Sequence, residues 1–279
     1  MRKLRGLISM IRPEDGVFGA FAVWIGWVVA SGNIFPRRPV PLILASLSTF
    51  FLIGALNLLN DIKDIRIDRL IHSKRALASG IFSPVFSAYY MLLLLLLSGF
   101  SAILASYLAS EVLVLIIFGG GLIMGFLYEI RFKNKGYSGN LIIALMVSLP
   151  FLLGASLVSI SSLIVVICIM AFLTGLAKEI INDVKDLKGD LGLRMTLPAV
   201  HGTKFSLAFA ILFLSMAIGF SIIPLFIVGP NIPYMVLIGT ADLILLAVMI
   251  ISYKGPMLAH WLNSLGMVLS LPAFLSLSF

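Results

Sequence analysis

Nine mostly apolar stretches divide this chain almost from end to end, at about residues 15 to 32, 41 to 60, 84 to 108, 111 to 129, 138 to 158, 161 to 181, 206 to 228, 233 to 252 and 260 to 278. Each approaches the roughly 20 residues that an α-helix needs to cross a hydrocarbon core. Only 11% of the 279 residues are charged, where roughly 25% is usual for a soluble domain. The expected fold is an all-α integral membrane protein of nine transmembrane helices, a single membrane domain over residues 1–279. Met1 to Arg12 is basic but runs into Pro13, Glu14 and Asp15 without a small-residue cleavage site, so it does not read as a removable signal.

An odd number of spans puts the termini on opposite sides, and Lys and Arg decide which is which. With the N-terminus in the cytoplasm, 18 of the 20 basic residues fall inside, and only Arg37 and Arg38 fall outside. The net charge of +8 therefore belongs to short loops at one face of a cell membrane, and nucleic acid is not expected as a partner. The C-terminus is expected outside.

Two of the inside loops open on the same pattern. Asn60-Asp61-Ile62-Lys63-Asp64-Ile65-Arg66-Ile67-Asp68 and Asn182-Asp183-Val184-Lys185-Asp186-Leu187-Lys188-Gly189-Asp190 share N-D-x-x-D-x-x-x-D at an offset of 122 positions. At about 100° per residue, Asp61, Asp64 and Asp68 project on one side of a helix with Asn57 and Asn60 beside them. Asp183, Asp186 and Asp190 do the same with Glu179 and Asn182. The recurrence implies a duplication in which spans 1–4 are echoed by spans 5–8, with a ninth added. Carboxylates crowded at a membrane boundary repel one another unless they are paired or hold an ion. Ion pairs along solvated helix ends, such as Asp64 with Arg66 or Asp186 with Lys188, would account for one such motif better than for two at the same face. The donors are carboxylate and amide oxygens with no His or Cys cluster, which suits Mg²⁺ and disfavours zinc. Each cluster is followed by basic residues, Lys74 and Arg75 in one case, Arg194 and Lys204 in the other, and Lys178 precedes the second. Acidic ligands beside cations are what a Mg²⁺-diphosphate requires.

The two stretches resemble the paired aspartate motifs of the UbiA superfamily of intramembrane prenyltransferases. The likeness extends to Ile11-Arg12-Pro13 ahead of the first span and to Tyr128 through Asn140, followed by Leu149-Pro150. Within the superfamily, Lys178-Glu179-Ile180-Ile181-Asn182-Asp183 through Gly189-Asp190, then Thr196-Leu197-Pro198, looks most like archaeal enzymes that geranylgeranylate geranylgeranylglyceryl phosphate. Those enzymes commonly carry Arg and Lys where this chain has Lys178 and Asn182.

The resemblance implies a bundle around a central cavity that opens near the cytoplasmic side. It implies a Mg²⁺-dependent transfer of a prenyl group from a polyprenyl diphosphate to a lipid-like acceptor. Attack by the hydroxyl of geranylgeranylglyceryl phosphate would give an ether, and an aromatic acceptor of quinone or haem synthesis is the alternative. Asn60, Asp61, Asp64, Asp68, Asp183, Asp186 and Asp190 are then the expected metal residues. Asp64, Asp68, Asp186 and Asp190 carry the catalysis, and Lys74, Arg75, Lys133, Lys178, Arg194 and Lys204 hold phosphate. A cation transporter could also use acidic clusters, but transport sites favour the bilayer midplane at broken helices.

Other polar or small residues carry less. Asp242 lies inside span 8, where a carboxylate either functions or is hydrogen-bonded. His72, His201 and His260 lack metal-ligand spacing and read as boundary residues. Gly119, Gly120, Gly121 and Gly125 read as a close helix contact, and Cys168 as a small buried apolar residue.

Overall fold

Proline opens most of the long helices. Pro13, Pro39, Pro84, Pro233 and Pro256 each occupy a first or second helical position, where the missing N–H removes no intrahelical bond. Two of these starts also have side-chain caps, Ser83 accepting from Phe86 N at 3.1 Å and Asn231 from Tyr234 N at 2.8 Å. The computed structural model describes residues 2–71, 75–190 and 195–278, with the backbone only at 2, 70, 71 and 188–190, and every regular element among them is helical. In order these are α1 (Arg2–Ile11), α2 (Pro13–Ser31), α3 (Pro39–Lys63), α4 (Ile65–Ile71), α5 (Pro84–Ala109), α6 (Leu113–Leu127) continued by a π-helical turn (Tyr128–Phe132), α7 (Tyr137–Ala155) and α8 (Ser162–Asp190). They are followed by α9 (Leu197–His201), α10 (Thr203–Phe220), α11 (Ile223–Val228), α12 (Ile232–Ile251) and α13 (Pro256–Ser276).

Among the described residues, eight of the expected spans are long and apolar enough to cross a bilayer, and the chain is a multi-pass membrane protein. The expected first span corresponds to α2, whose opening turn carries Glu14 and Asp15 and so dilutes its hydropathy. The expected seventh span is interrupted between Phe220 and Ile223, because Pro224 lacks the N–H that would bond Phe220 O. The expected sixth span ends at 181, yet α8 runs on to Asp190, so the second acidic motif is helical throughout.

α3 packs against α2 and α5, α8 packs against α7 and α10, and α13 lies on α12, α8 and α2. The two sets meet where α2 crosses α7. A Cβ on Gly26 would collide with the carbonyl oxygen of Phe151, and one on Gly154 with that of Val23. Two backbones therefore touch where any side chain would hold them apart. The glycines of span 4 do less than expected. Gly125 faces Leu56 and Gly121 faces Leu149, but Gly119 and Gly120 have open space around them.

Candidate active site

The first acidic motif lies across a helix break. α3 ends at Lys63 and α4 begins at Ile65, with Asp64 between them, although Asp64 N still bonds Asn60 O at 2.9 Å and Asp68 N bonds Asp64 O at 2.8 Å. The three carboxylates consequently do not act as one face. Asp61 and Asp68, seven residues apart and so within about 20° of each other on a helical wheel, share Arg75, whose Nη1 lies 3.5 Å and 2.7 Å from them. Asp61 also accepts from Arg12 Nη2 at 2.7 Å, while Asp64 turns away to Lys133 Nζ at 2.9 Å. Asp61 and Asp68 are nearly inaccessible, their side chains 7% and 5% exposed. Buried carboxylates of this kind require such partners.

Arg12 reaches Asp61 from an unusual backbone. It sits between α1 and α2 at φ 46° and ψ 70°, a left-handed conformation that costs an ordinary residue about 1–2 kcal/mol. Pro13 disfavours the right-handed alternative for the residue before it. The charge-assisted bond to Asp61 offsets the remaining cost.

Residues 128–140 join the two motifs. The π turn places Glu129 and Lys133 side by side, with Lys133 N bonded to Tyr128 O at 2.8 Å. Glu129 Oε1 accepts from Asn60 Nδ2 at 2.8 Å, Glu129 Oε2 from Lys133 Nζ at 2.9 Å, and the Glu129 carbonyl from Lys63 Nζ at 2.8 Å. Seven residues beyond Lys133, Asn140 Nδ2 donates to Asp183 Oδ2 at 2.8 Å. Between them Lys135 pairs with Met195 as an isolated parallel bridge, next to Gly136, whose φ of 56° suits glycine. One short connector thus grips the first motif, the second motif and the chain beyond the second. Both acidic helix ends therefore lie at one end of the bundle.

A cavity of about 770 Å³ opens beside this connector. Its polar part is lined by Arg12, Asn57, Asn60, Glu129, Lys178 and Glu179, and its apolar part by residues such as Met146, Val147, Met170 and Ile238. Along α13 it is lined from His260 to Phe274, which at 1.5 Å per residue is about 21 Å. Phe274 and Phe151, both buried, meet edge to face with centroids 6.1 Å apart at the deep end.

The expected site residues divide accordingly. Asn60 and Lys178 line the cavity, while Asp61, Asp64 and Asp68 stand behind it with Arg75 and Lys133 as partners. Asp183 is held by Asn140, and Asp186 is 48% exposed with Lys185 Nζ 3.7 Å away. Lys204 is exposed in the first turn of α10 and does not line the cavity. Lys74, Arg194 and the carboxylate of Asp190 lie outside the described residues. Asp242 lines the cavity well below the mouth and accepts from Ser221 Oγ at 2.7 Å. His260, expected at a boundary, lies in the second turn of α13 and also faces the cavity, while His72 lies outside the described residues.

Arg12, Glu129 and Asn140 are the residues that sequence reasoning left out of the site. A signal existed for each. Arg12 precedes the proline of the first span, Glu129 is a carboxylate at the end of an otherwise apolar run, and Asn140 closes the segment that carries Lys133.

The model of the UbiA prenyltransferase family matches residues 19–271 of this chain. A digeranylgeranylglyceryl phosphate synthase of Halobacterium salinarum is 29% identical over 272 residues, covering 97% of this chain and 96% of that protein. The synthase of the same name from Methanosphaera stadtmanae is 30% identical over 206 residues, 74% of this chain and 72% of the relative. Among solved structures, one described as digeranylgeranylglyceryl phosphate synthase superposes with a TM-score of 0.80 at 25% identity, covering 100% of this chain and 99% of that one. A UbiA homolog from Archaeoglobus fulgidus bound to GPP and Mg²⁺ shares the fold with a TM-score of 0.70 at 20% identity, covering 98% of each chain.

Proposed function

This chain belongs to the UbiA prenyltransferase family, and from that premise we propose that it transfers a geranylgeranyl group from geranylgeranyl diphosphate to the hydroxyl of geranylgeranylglyceryl phosphate. The observation that carries the choice of substrates is the nearly full-length likeness to digeranylgeranylglyceryl phosphate synthases. A polar mouth leading into a long apolar cavity fits a substrate with an anionic head and a prenyl tail.

Mg²⁺ is the cofactor this reading requires, and the donor set fits it. Asn60, Asp61, Asp64, Asp68, Asp183 and Asp186 offer only oxygen. Among the described residues no three His, Cys, Asp or Glu side chains form a metal cage. Mg²⁺ needs none, because it is usually held by one or two carboxylates with waters and substrate phosphates. When bound, it would stabilise the charge that develops on the departing diphosphate.

The remaining work falls to the chain itself. Arg75 and Lys133 sit against the first motif and are placed to neutralise diphosphate oxygens once its carboxylates are engaged by metal. The apolar wall keeps water from an allylic cation. The aligned packing of α2–α3–α5 and α7–α8–α10 supports a repeat of spans 1–4 in spans 5–8. The distribution of Lys and Arg supports nine spans, α2 included, with the acidic ends cytoplasmic and the C-terminus outside.

The test is to incubate membranes containing the protein with labelled geranylgeranyl diphosphate, Mg²⁺ and either geranylgeranylglyceryl phosphate or an aromatic acceptor. The expected product is the ether, lost in EDTA and in Asp64→Ala and Asp186→Ala. Product from the aromatic acceptor alone would overturn the acceptor, and full activity in both variants would overturn the metal site.

A further inference from the structure

Ether formation from an alcohol releases a proton, and among the carboxylates at the cavity the partners described so far leave one to receive it. Five carboxylates line the cavity: Glu14, Asp15, Glu129, Glu179 and Asp242. Asp15 accepts from Asn57 at 3.4 Å, Glu129 is engaged by Asn60 and Lys133, and Asp242 accepts from Ser221 in the deeper, apolar part. Glu14 is exposed in the opening turn of α2. Glu179 is half-buried on α8, lines the cavity, and has no hydrogen bond among the described residues. It comes from a different helix than Asn60 and Glu129, which belong to the first motif and the connector. Its neighbour Lys178 also lines the cavity, so the same stretch of α8 offers a cation for a phosphate monoester and a carboxylate for a hydroxyl.

We propose that Glu179 takes the proton from the acceptor hydroxyl, an assignment that rests on the prenyl-transfer reading above. The hydroxyl oxygen bonds C1 of the prenyl group, the C1–O bond to diphosphate breaks with its electron pair leaving on the diphosphate, and the hydroxyl proton passes to the Glu179 carboxylate. One ether, one diphosphate and one proton result. In a cavity that excludes water, a positioned base of this kind contributes about 10²–10⁴-fold.

Lys178, Lys185 and Asp186 on its own helix act electrostatically on Glu179, and Arg12, Glu14, Asp15, Tyr128, Glu129, Asp242 and His260 share its cavity. No titratable side chain of α7 or α10 lines the cavity among the described residues. His260 is the rival base, since its Nδ1 is buried and without a partner among the described residues.

The experiment uses the purified full chain in detergent with geranylgeranyl diphosphate, Mg²⁺ and geranylgeranylglyceryl phosphate, comparing Glu179→Gln, Glu179→Ala and His260→Gln. Glu179→Gln should lower kcat by about 10²–10⁴-fold, leave the KM for the diphosphate within about 3-fold, and abolish the fall in rate towards acid pH. Formate should restore part of the activity of Glu179→Ala, an effect that a purely structural role would not produce. Wild-type kcat in Glu179→Gln, loss of diphosphate binding in that variant, or loss of the acid limb only in His260→Gln would each overturn the assignment and leave the prenyl-transfer reading standing. A wild-type protein that uses no hydroxyl acceptor would overturn both.

Discussion

Replacing Lys133 by Met tests whether the connector is an electrostatic clamp. Lys133 Nζ lies 2.9 Å from Asp64 Oδ2 and 2.9 Å from Glu129 Oε2, and the three side chains are only 8%, 14% and 4% exposed. Hydrogen bonds to charged groups contribute about 1.5–3 kcal/mol each, so the two together are worth about 3–6 kcal/mol. Deleting one partner of a buried ion pair costs about 3–5 kcal/mol, because the stranded charge remains. Met preserves the apolar stem, so loss of packing contributes little. Lys133→Met should therefore destabilise the protein by about 3–5 kcal/mol in reversible unfolding from detergent without metal. Adding Glu129→Gln removes one of the two carboxylates that lose the ammonium, and the double variant should recover about 1–2 kcal/mol relative to additivity. Mg²⁺ should then stabilise Lys133→Met more than the wild type, because the ammonium no longer competes for Asp64. At 100 times its dissociation constant for the variant, Mg²⁺ stabilises the variant by about 2.7 kcal/mol in all, and the wild type by less at the same concentration. A Lys133→Met protein within about 0.5 kcal/mol of wild type, or equal stabilisation of both by Mg²⁺, would refute the clamp.

Two further substitutions probe the scaffold and the second motif. Gly154→Val puts a side chain into the Val23 carbonyl across the α2–α7 contact and should cost about 3 kcal/mol or more, at or above the usual overpacking penalty, read as a lower unfolding midpoint at unchanged protein concentration. Asn140→Leu removes the 2.8 Å bond that orients Asp183. It should raise the Mg²⁺ concentration for half-maximal transfer by about 10–100-fold, the usual effect of losing a partner that orients a ligand, while the unfolding midpoint moves far less than in Lys133→Met.

The contrast between these sites shows what a single sequence can reveal. Spans are legible because lipid leaves an apolar run few alternatives to a helix, and the two acidic motifs are legible because spacing and membrane side are both one-dimensional. The interruption at Pro224 was passed over in a span read as continuous from 206 to 228, although a proline in a helical run removes a specific bond. The break at Asp64 was not. Asp64 and Asp68 keep helical hydrogen bonds across it, so nothing in the local pattern distinguishes the kinked form from a continuous helix. Only the partners do. Those partners, Arg12 at 49 positions from Asp61, Glu129 at 69 from Asn60 and Asn140 at 43 from Asp183, depend on which helices become neighbours. The close α2–α7 contact through Gly26 and Gly154 brings the first half of the chain against the second. The 128–140 connector then bridges their acidic ends. A substitution that spreads those two backbones should accordingly weaken metal-dependent activity without touching a carboxylate, whereas one confined to the open faces of Gly119 or Gly120 should not.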